Sequence, residues 1–451
     1  MLTLFLLLPI LLSYNTTSRY NSWEDSTQTQ AKGNNNKLTI SSPSQNFASL
    51  ELDWKKIYSD QDYVYWPFEM VLDKSKNIYI TGSKIDLSND SSMILYKFDN
   101  IGESLWNRTW NYSGHETHGS SIALDSSDNI LVGTWVPNFN SYVKKYDSLG
   151  NEIGNFTTDG LSSMVLDSSE NIYIIDITDI HTIPSEPIFV NISLAKYNSL
   201  GQQQWNRSWG TFEYESGYTY ITSAAIDTSD NIYIIANTKG LLELEMKMNI
   251  TMLKYDSSGN LLLNSTWQSY DSYMAMDVDT SQNIYCTTTL MEEFMEESNA
   301  DAGLIKFNNL GQLQWNRTWD SGESDQALTI TIDPSGNIYL AGTTNYTGSY
   351  DVLLLKYDSA GVFQWNYIWD GGKTEASIDI VVDSSGTIYV LGMYSSVLWP
   401  NNILLMKFII SPGPGDDGEF ILPMTITILS AGAIGATVIV LWLRKRRKIS
   451  S

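Results

Sequence analysis

The sequence predicts an all-β fold: a seven-bladed β-propeller of four-stranded antiparallel blades, closed by an N-terminal strand and followed by one C-terminal transmembrane helix. Three short phrases predict it, because each returns along the chain at intervals of roughly fifty residues, a period typical of propellers and solenoids. The first phrase has the form D-x-S-x-N-I-Y, and the second has the form K-Y-D-x-x-G. The third is a tryptophan-rich run such as "WNRTW".

The first phrase occurs seven times, and in each copy an aspartate precedes a short polar turn. Aspartate starts such turns because its carboxylate accepts hydrogen bonds from the backbone that follows. The flanking runs are rich in isoleucine, valine, tyrosine and threonine, which favour strands. We expect the repeated aspartates to cap turns in preference to binding Ca²⁺, for which each turn offers too few carboxylates. They are Asp73, Asp125, Asp167, Asp227, Asp279, Asp333 and Asp383.

The third phrase is offset from the other two, and this offset predicts how the ring closes. It follows six copies of the second phrase, whereas the last copy, "LLMKFII", has nothing equivalent behind it. A matching run, "LELDWKKIY", which contains Trp54, precedes the first full repeat. The N-terminal run can therefore supply the outermost strand of the last blade, which is how propellers close. An open solenoid would need capping repeats instead.

Each repeat contains four strand-like runs, and the middle runs are apolar on both alternating faces, as in "VLLL". Such strands suit a sheet sandwiched between two neighbours. The blades are expected between Leu50 and Ile410. Cys286, the single cysteine, lies in one such run and is expected in the core. No intramolecular disulfide is possible, so packing must hold the fold.

These phrases resemble the repeats of the seven-bladed β-propeller repeat proteins of the SBBP type, which are cell-surface proteins. The resemblance rests on D-x-S-G-N-I-Y, on K-Y-D-x-x-G and on the tryptophan that follows, and it extends over most of the chain. It implies a surface or secreted protein. It implies little about chemistry, because propellers carry many unrelated activities.

The two ends of the chain predict targeting and anchoring. The first apolar run has signal-peptide length, with a retained N-terminal anchor as the alternative. The second is an uncharged span before "RKRRK", whose basic residues mark the cytoplasmic side. A buried core helix and a sorting signal that is later removed are the alternatives for this span. The expected segments are 1–14 signal peptide, 15–49 polar flexible segment, 50–410 propeller, 411–420 glycine- and proline-rich linker, 421–443 transmembrane helix and 444–451 cytoplasmic tail.

The charge of the chain limits its partners. The formal net charge is −24 and the isoelectric point is about 4.4. A phosphate backbone requires a basic surface, so nucleic acid is excluded as a partner. The same reasoning excludes an anionic lipid surface as a partner of the folded part. Membrane contact is therefore expected only through the C-terminal helix.

A four-stranded meander places its first and third hairpins on one face, which we name the turn face. The second hairpins and the links between blades lie on the other, which we name the variable face. The repeated short turns belong to the turn face, whereas every long and irregular segment falls on the variable face. Variable loops on a rigid scaffold usually carry binding. The ligand-binding candidates there are acidic, namely Glu213, Glu215, Asp320, Glu323 and Asp325.

Cofactor and modification sites are weakly indicated. Clustered acidic oxygens suit Ca²⁺, although a solvated acidic surface is the commoner arrangement; no other cofactor is evident. "HETH" places His115 and His118 close enough in sequence to bind zinc, but without the helical H-E-x-x-H pattern they are expected to be ordinary loop residues. Glycosylation sequons recur within the third phrase, at Asn107, Asn206, Asn264 and Asn316.

The expected function is that of a membrane-anchored extracellular binding, adhesion or structural module. Its partner would be an extracellular protein or a glycan, bound through the variable face. An enzyme is not expected, because no nucleophile–base arrangement is visible. The alternative is a propeller enzyme, such as a quinoprotein-like dehydrogenase or a glycan-acting hydrolase or lyase. "YDSAGVFQW" resembles the docking element of quinoprotein dehydrogenases, although those usually have eight blades.

Overall fold

In the part of the chain that the structure describes, twenty-eight strands form seven four-stranded antiparallel sheets, so the predicted propeller is confirmed. The computed structural model describes residues 49–137, 139–180, 188–214, 217–240, 248–269, 272–291, 300–395 and 401–411. Within these residues there is no helix of the length and apolarity that a membrane crossing needs. The predicted signal peptide, transmembrane helix and basic tail all lie outside them. Of the described residues, Leu52–Ile409 belong to one compact unit, and only 49–51 and 410–411 belong to a second.

The strands are numbered in chain order. Blades one to three contain β2 (Tyr63–Leu72), β3 (Ile78–Asp86), β4 (Ser91–Phe98) and β5 (Ser104–Trp110); β6 (His118–Leu124), β7 (Ile130–Trp135), β8 (Ser141–Tyr146) and β9 (Glu152–Thr158); and β10 (Ser163–Leu166), β11 (Ile172–Ile180), β12 (Ile188–Tyr197) and β13 (Gln203–Tyr214). Blades four and five contain β14 (Gly217–Ile226), β15 (Ile232–Gly240), β16 (Met248–Tyr255) and β17 (Leu261–Ser269); and β18 (Ser272–Val278), β19 (Ile284–Met291), β20 (Ala300–Phe307) and β21 (Leu313–Trp319). Blades six and seven contain β22 (Asp325–Ile332), β23 (Ile338–Thr344), β24 (Asp351–Tyr357) and β25 (Phe363–Trp369); and β26 (Thr374–Val382), β27 (Ile388–Ser395), β28 (Asn401–Ser411) and β1 (Ser49–Tyr58).

The N-terminal strand completes the last blade. The seventh sheet has the order β1-β28-β27-β26, so β1 is its outermost strand. On the inside, each innermost strand contacts the innermost strands of both neighbouring blades, and β26 contacts β2. The ring is therefore closed at both its inner and outer edges by strands from the two ends of the chain.

The first turn of every blade is held by its repeated aspartate. In blade four, Oδ1 of Asp227 accepts hydrogen bonds from the backbone of Ser229 (2.8 Å) and Asn231 (2.9 Å). Its Oδ2 accepts one from the hydroxyl of Tyr233 (3.0 Å). Lys254, from the K-Y-D phrase, lies over the Tyr233 ring at 4.8 Å. All seven aspartates accept two such backbone bonds. The first and second phrases thus form one unit within each blade.

The third phrase locks each blade to the next. Nε of Arg317 donates a hydrogen bond to the carbonyl of Gly361 (2.7 Å), which lies in the third hairpin of blade six. The same guanidinium lies over the Trp315 ring, 4.7 Å from its centroid. Arg108 binds Gly150 in the same way, as does Arg207 with Gly259. Recurrence of "WNRTW" and "WNRSW" therefore reflects contact between blades one and two, three and four, and five and six.

The closing strand makes the equivalent contact with blade one. A Cβ atom added to Gly102 would lie 2.9 Å from the Trp54 ring and 2.9 Å from the Lys56 side chain. Lys56 also forms an ion pair with Glu103 (2.5 Å), and the hydroxyl of Tyr58 donates to the Gly102 carbonyl. Trp54 and Lys56 occupy the positions that tryptophan and arginine occupy in other blades. β1 therefore supplies the contact between blade seven and blade one.

The hydrophobic core lies between blades, as the doubly apolar middle strands predict. One cluster, for example, joins Tyr233 and Ile250 of blade four to Ile284 and Cys286 of blade five. Burial raises the pKa of the Cys286 thiol. The largest fully buried side chains include the tyrosines of the first phrase, which are Tyr79, Tyr173, Tyr233, Tyr285, Tyr339 and Tyr389.

The innermost strands contain β-bulges whose backbone lies close to glycines of the second strands. In blade six the register shifts between Ala327 and Thr329, opposite Gly342. A Cβ atom on Gly342 would lie 1.7 Å from the Gln326 carbonyl oxygen, which no side chain tolerates. Gly82 faces the equivalent bulge in blade one, with the corresponding distance to the Trp66 carbonyl oxygen being 2.1 Å. Glycine is therefore required where the bulged backbone approaches.

Candidate functional site

The described part of the variable face displays an open group of rings between blades one and two. We name Trp110, Tyr112, His115, Phe139 and Tyr142 the aromatic cluster. Its ring centroids are 5.1 Å apart for Trp110 and Tyr142, 5.2 Å for Tyr112 and Phe139, and 4.4 Å for His115 and Phe139. Phe139 is 44% exposed. The cluster is thus a continuous aromatic surface that solvent reaches.

The link between the two blades holds the aromatic cluster in place. The backbone amide of Tyr112 donates to Oγ1 of Thr117 (3.0 Å), and this hydroxyl donates to the His115 carbonyl (3.0 Å). The amide of His115 donates to the Tyr112 carbonyl (2.8 Å). Lys144 lies over the Trp110 ring, 4.4 Å from its centroid. The rings of Tyr112 and His115 therefore project from a hydrogen-bonded link, while Trp110, Phe139 and Tyr142 belong to β5, the β7–β8 hairpin and β8.

The two histidines considered as zinc ligands have different surroundings: His115 lies in a link, as expected, whereas the expected loop position of His118 is wrong because it begins β6. His115 is an exposed member of the aromatic cluster. His118 is buried; its Nδ1 forms hydrogen bonds with the hydroxyls of Ser83 (2.9 Å) and Ser91 (3.2 Å). Burial lowers the pKa of His118 to about 4, so its ring is neutral at pH 7. Neither histidine belongs to a group of three or more potential metal ligands among the described residues.

Two of the acidic candidates meet at the link between blades five and six. Carboxylate oxygens of Asp301, Asp320 and Asp325 lie within 4.8 Å of one another, and we name them the blade-five cluster. Asp325 is fully buried and accepts hydrogen bonds from the backbone (2.6 Å) and hydroxyl (2.9 Å) of Ser321. Burial raises its pKa to about 6. Glu323 is exposed in the same link and lies outside the cluster.

An equivalent group occurs one blade further on, and sequence reasoning missed it. Carboxylate oxygens of Asp351, Asp370 and Glu375 also lie within 4.8 Å of one another and form the blade-six cluster. Each of its members lies 50 residues after a member of the blade-five cluster. The two links, "DSGESD" and "DGGKTE", share the pattern D-x-G-x-x-D/E. An alignment of this repeat with the preceding one would have revealed the second cluster.

The remaining predicted residues are two glutamates and four sequon asparagines. Glu213 is in β13, and Glu215 falls outside the described residues, as do 241–247 and 292–299 of the variable segments. The sequon asparagines are exposed on the outermost strands; they are Asn107, Asn206, Asn264 and Asn316.

Three further carboxylates lie between innermost strands, where sequence reasoning placed no site. Asp379 accepts a hydrogen bond from the Met70 amide (2.8 Å), which ties blade seven to blade one. Glu69 accepts one from the Ile122 amide (2.8 Å), and Asp277 accepts one from the Ile332 amide (2.9 Å). The detectable signal was an acidic residue that interrupts an apolar first strand. These bonds give the carboxylates a role in joining blades.

Glu69 predicts a pH-dependent stability. Burial, with the nearby charge of Asp379, raises the pKa of Glu69 from 4.5 to about 8. A raised carboxyl pKa means that folding favours the protonated form. The stability that protonated Glu69 contributes to the fold is therefore complete below about pH 4.5 and is lost as the pH rises through about 8. We expect Glu69→Gln to melt close to the wild type near pH 5 and about 2 °C or more above it near pH 9, by calorimetry. Glu323→Gln, at an exposed position, is the control; equal pH profiles for wild type and Glu69→Gln would contradict the prediction.

A cavity of about 470 Å³ opens on the turn face, on the side opposite to the predicted binding surface. It lies where blades seven, one and two meet. Lys76 in its lining forms an ion pair with Asp383 (2.6 Å), and Lys74 donates a hydrogen bond to the Ser126 carbonyl. Its charged groups are therefore engaged in holding the first turns together.

These features define a seven-bladed β-propeller with uniform turns on one face and chemically varied links on the other. The model of the SBBP family, described as a beta-propeller repeat, matches residues 318–347. The predicted resemblance to SBBP-type propeller repeats is thereby confirmed. No curated protein matches the chain.

The chain is similar to several solved structures. An ulvan lyase of polysaccharide lyase family PL25, with bound -[GlcA(1-4)Rha3S]-, is 8% identical with a TM-score of 0.53, over 78% of this chain and 95% of that one. A virginiamycin B lyase from Staphylococcus aureus is 10% identical with a TM-score of 0.48, over 80% and 100% of the two chains. A protein of unknown function from Dyadobacter fermentans is 9% identical with a TM-score of 0.49, over 80% and 99%. At 8% identity the similarity to the ulvan lyase shows the fold alone.

Proposed function

We propose that the chain is a membrane-anchored extracellular propeller that binds its ligand through the variable face. The aromatic cluster is the observation that carries this proposal. Exposed rings held on a rigid scaffold are the usual anchors of binding sites. A protein or a glycan can occupy such a surface, and the composition of the described face favours the glycan.

Two features favour a glycan. Aromatic faces cover the apolar C–H faces of sugar rings, while nearby carboxylates and hydroxyls accept hydrogen bonds from sugar hydroxyls. The net charge of −24 opposes the approach of acidic polymers. The ligand class that we infer is therefore a neutral or amino-sugar glycan.

Binding by purified full-length protein tests the proposal. We expect Tyr112→Ala and Phe139→Ala each to weaken binding to a glycan selected from an array by about tenfold or more, as measured by calorimetry. Phe363→Ala removes a ring of similar exposure, 40% against 44% for Phe139, from an outermost strand and is the control. If both cluster variants bind every glycan and protein ligand of the wild type with unchanged affinity, the variable-face proposal fails.

A glycan-acting lyase or hydrolase is the second candidate. It is supported by the buried carboxyl of Asp325, whose pKa of about 6 is closer to neutral pH than that of an ordinary aspartate, and by the shared fold of a lyase with bound polysaccharide. Incubation with a polysaccharide panel distinguishes the two candidates. A lyase releases unsaturated sugars that absorb ultraviolet light, a hydrolase releases reducing ends, and a binding module releases neither. Dye reduction with added quinone and Ca²⁺ tests the dehydrogenase alternative in the same samples.

The anchoring part of the proposal rests on the uncharged span 421–443 and the basic residues after it. Mass spectrometry of the mature protein from membranes tests it. Recovery of peptides from 444–451 supports a retained transmembrane anchor. Their consistent absence, with recovery of peptides from the propeller, would instead support removal of the tail.

A further inference from the structure

We propose that the blade-six cluster is a Ca²⁺ site, formed by Asp351, Asp370 and Glu375. This inference goes beyond the proposed glycan binding and does not depend on it. The three carboxylates come from the start of β24, the link after β25 and the start of β26, so the fold itself brings them together.

Burial is the first reason to assign a cation here. Asp351 and Glu375 are both fully buried, with 0% exposure. Moving carboxylates out of water is costly unless a cation or hydrogen bonds compensate. Within the part of the chain that the structure describes, no lysine or arginine forms an ion pair with any of the three. The cluster therefore brings three carboxylates together with no ion-paired lysine or arginine among the described residues.

An unsatisfied oxygen is the second and independent reason. Oε1 of Glu375 accepts a hydrogen bond from the Lys373 amide (3.0 Å), but Oε2 of the same buried carboxylate has no hydrogen-bond partner. Buried carboxylate oxygens normally have partners, so an orphaned one needs an explanation. A cation among the three carboxylates would supply the missing interaction.

The surrounding bonds orient the carboxylates and leave oxygens free. Oδ1 of Asp370 accepts a bond from the Gly372 amide (2.6 Å), and Oδ2 of Asp351 accepts one from the Thr347 hydroxyl (2.6 Å). The Ser349 hydroxyl lies 3.4 Å from Oδ1 of Asp351. Carboxylates and hydroxyls on short loops thus meet around one point, and exposed Asp370 forms the side open to solvent.

The ligand chemistry selects the ion. All the ligand atoms are hard oxygens, which suit Ca²⁺ and Mg²⁺, whereas zinc prefers nitrogen and sulfur. Ca²⁺ accepts six to eight oxygens in irregular geometry and loses water readily, while Mg²⁺ demands an octahedron and keeps its waters. Three carboxylates from the start of β24 and from the β25–β26 region, two of them buried, therefore favour Ca²⁺.

Calcium titration of the chelator-stripped full-length chain tests the site. We expect a dissociation constant between about 10 µM and about 1 mM, a melting temperature raised by about 3 °C or more at saturation, and a weaker response to Mg²⁺. The Trp369 ring lies close to Glu375: a Cβ atom added to Gly371 would be 2.6 Å from the ring and 2.6 Å from Oε1 of Glu375. Bound Tb³⁺ should therefore become luminescent when tryptophan is excited. Absence of both the thermal and the luminescence response would overturn the proposal.

Variants assign the ion to this cluster. Asp370→Asn changes an exposed ligand, so folding should be kept while affinity falls about tenfold or more, or one ion is lost. Glu375→Gln should raise the melting temperature of the ion-free chain, since it removes a buried charge, and should abolish the Ca²⁺-induced rise. Trp369→Phe should reduce the Tb³⁺ signal without removing binding. Glu323→Gln, an exposed acid in the preceding link, is the control; unchanged Ca²⁺ binding in both Asp370→Asn and Glu375→Gln would overturn the assignment.

Discussion

Gly342→Ala is expected to destabilise the propeller by about 3 kcal/mol or more. The added Cβ atom would lie 1.7 Å from the Gln326 carbonyl oxygen. The glycine belongs to β23 and the carbonyl to β22, which are paired strands of blade six. Neither can move without breaking the β22–β23 ladder, since the bulge between Ala327 and Thr329 sets the approach. Urea unfolding of the full-length chain, followed by tryptophan fluorescence, measures the effect.

Gly154→Ala is the matched control for this substitution. Gly154 also lies in a strand, β9, but an added Cβ atom would meet nothing within 4 Å. We expect a change smaller than about 0.5 kcal/mol there. Equal stabilities of the Gly342 and Gly154 variants would show that the bulged strand of blade six can shift, contrary to the packing argument.

Trp54→Ala is the second substitution with a large expected effect, about 3 kcal/mol of lost stability. Trp54 packs on the core between blades seven and one and against Gly102, so its loss opens both the sheet edge and the lock between blades. Hydrogen exchange should show lost protection in β1 and β2 before the other blades, because local opening follows the weakest interface. A truncated side chain in a blade distant from the closure would not cause a loss of protection that begins in β1 and β2.

Leu105→Ala is the control for the closing strand. Leu105 also lies in an outermost strand, β5, but is 52% exposed. We expect little change in its stability or exchange pattern. Uniform loss of protection around the ring in Trp54→Ala would contradict a closure that depends on β1.

Most of the fold could be predicted from sequence because local signals repeat. Turn aspartates and strand-forming residues recur in every blade, so the seven repeats together give a clear pattern even where one copy is degenerate. The offset of the third phrase then predicts how the ring closes. The role of Trp54 could be recognised only by its place in that offset. The bulges could not be predicted, because a bulge depends on how neighbouring innermost strands fit around the ring. Gly342 shows this: its sequence context reads as an ordinary strand.

The candidate sites were less predictable, because their members come from distant segments. Asp320 and Asp325 are close in sequence and were identified, but Asp301 joins them through pairing of β20 and β21. Asp370 and Glu375 have the same spacing as Asp320 and Asp325, and an alignment of adjacent repeats would have identified them. The aromatic cluster likewise combines the β5–β6 link with the second hairpin of blade two. The members that only strand pairing brings to a cluster, such as Asp301 and Asp351, could not be identified from local sequence.

The position of β28 has a mechanical consequence for an anchored protein. Phe408 pairs with Ile388, which pairs with Val382 beside the first turn of blade seven, so β28 ends at the turn face. A tether that follows β28 to the membrane would orient the aromatic cluster away from the cell. Since β28 lies between β27 and β1, a pull on that tether would load two hydrogen-bonded ladders in shear. In a chain anchored in this way, the strand that closes the ring would also reinforce the point at which force reaches the domain.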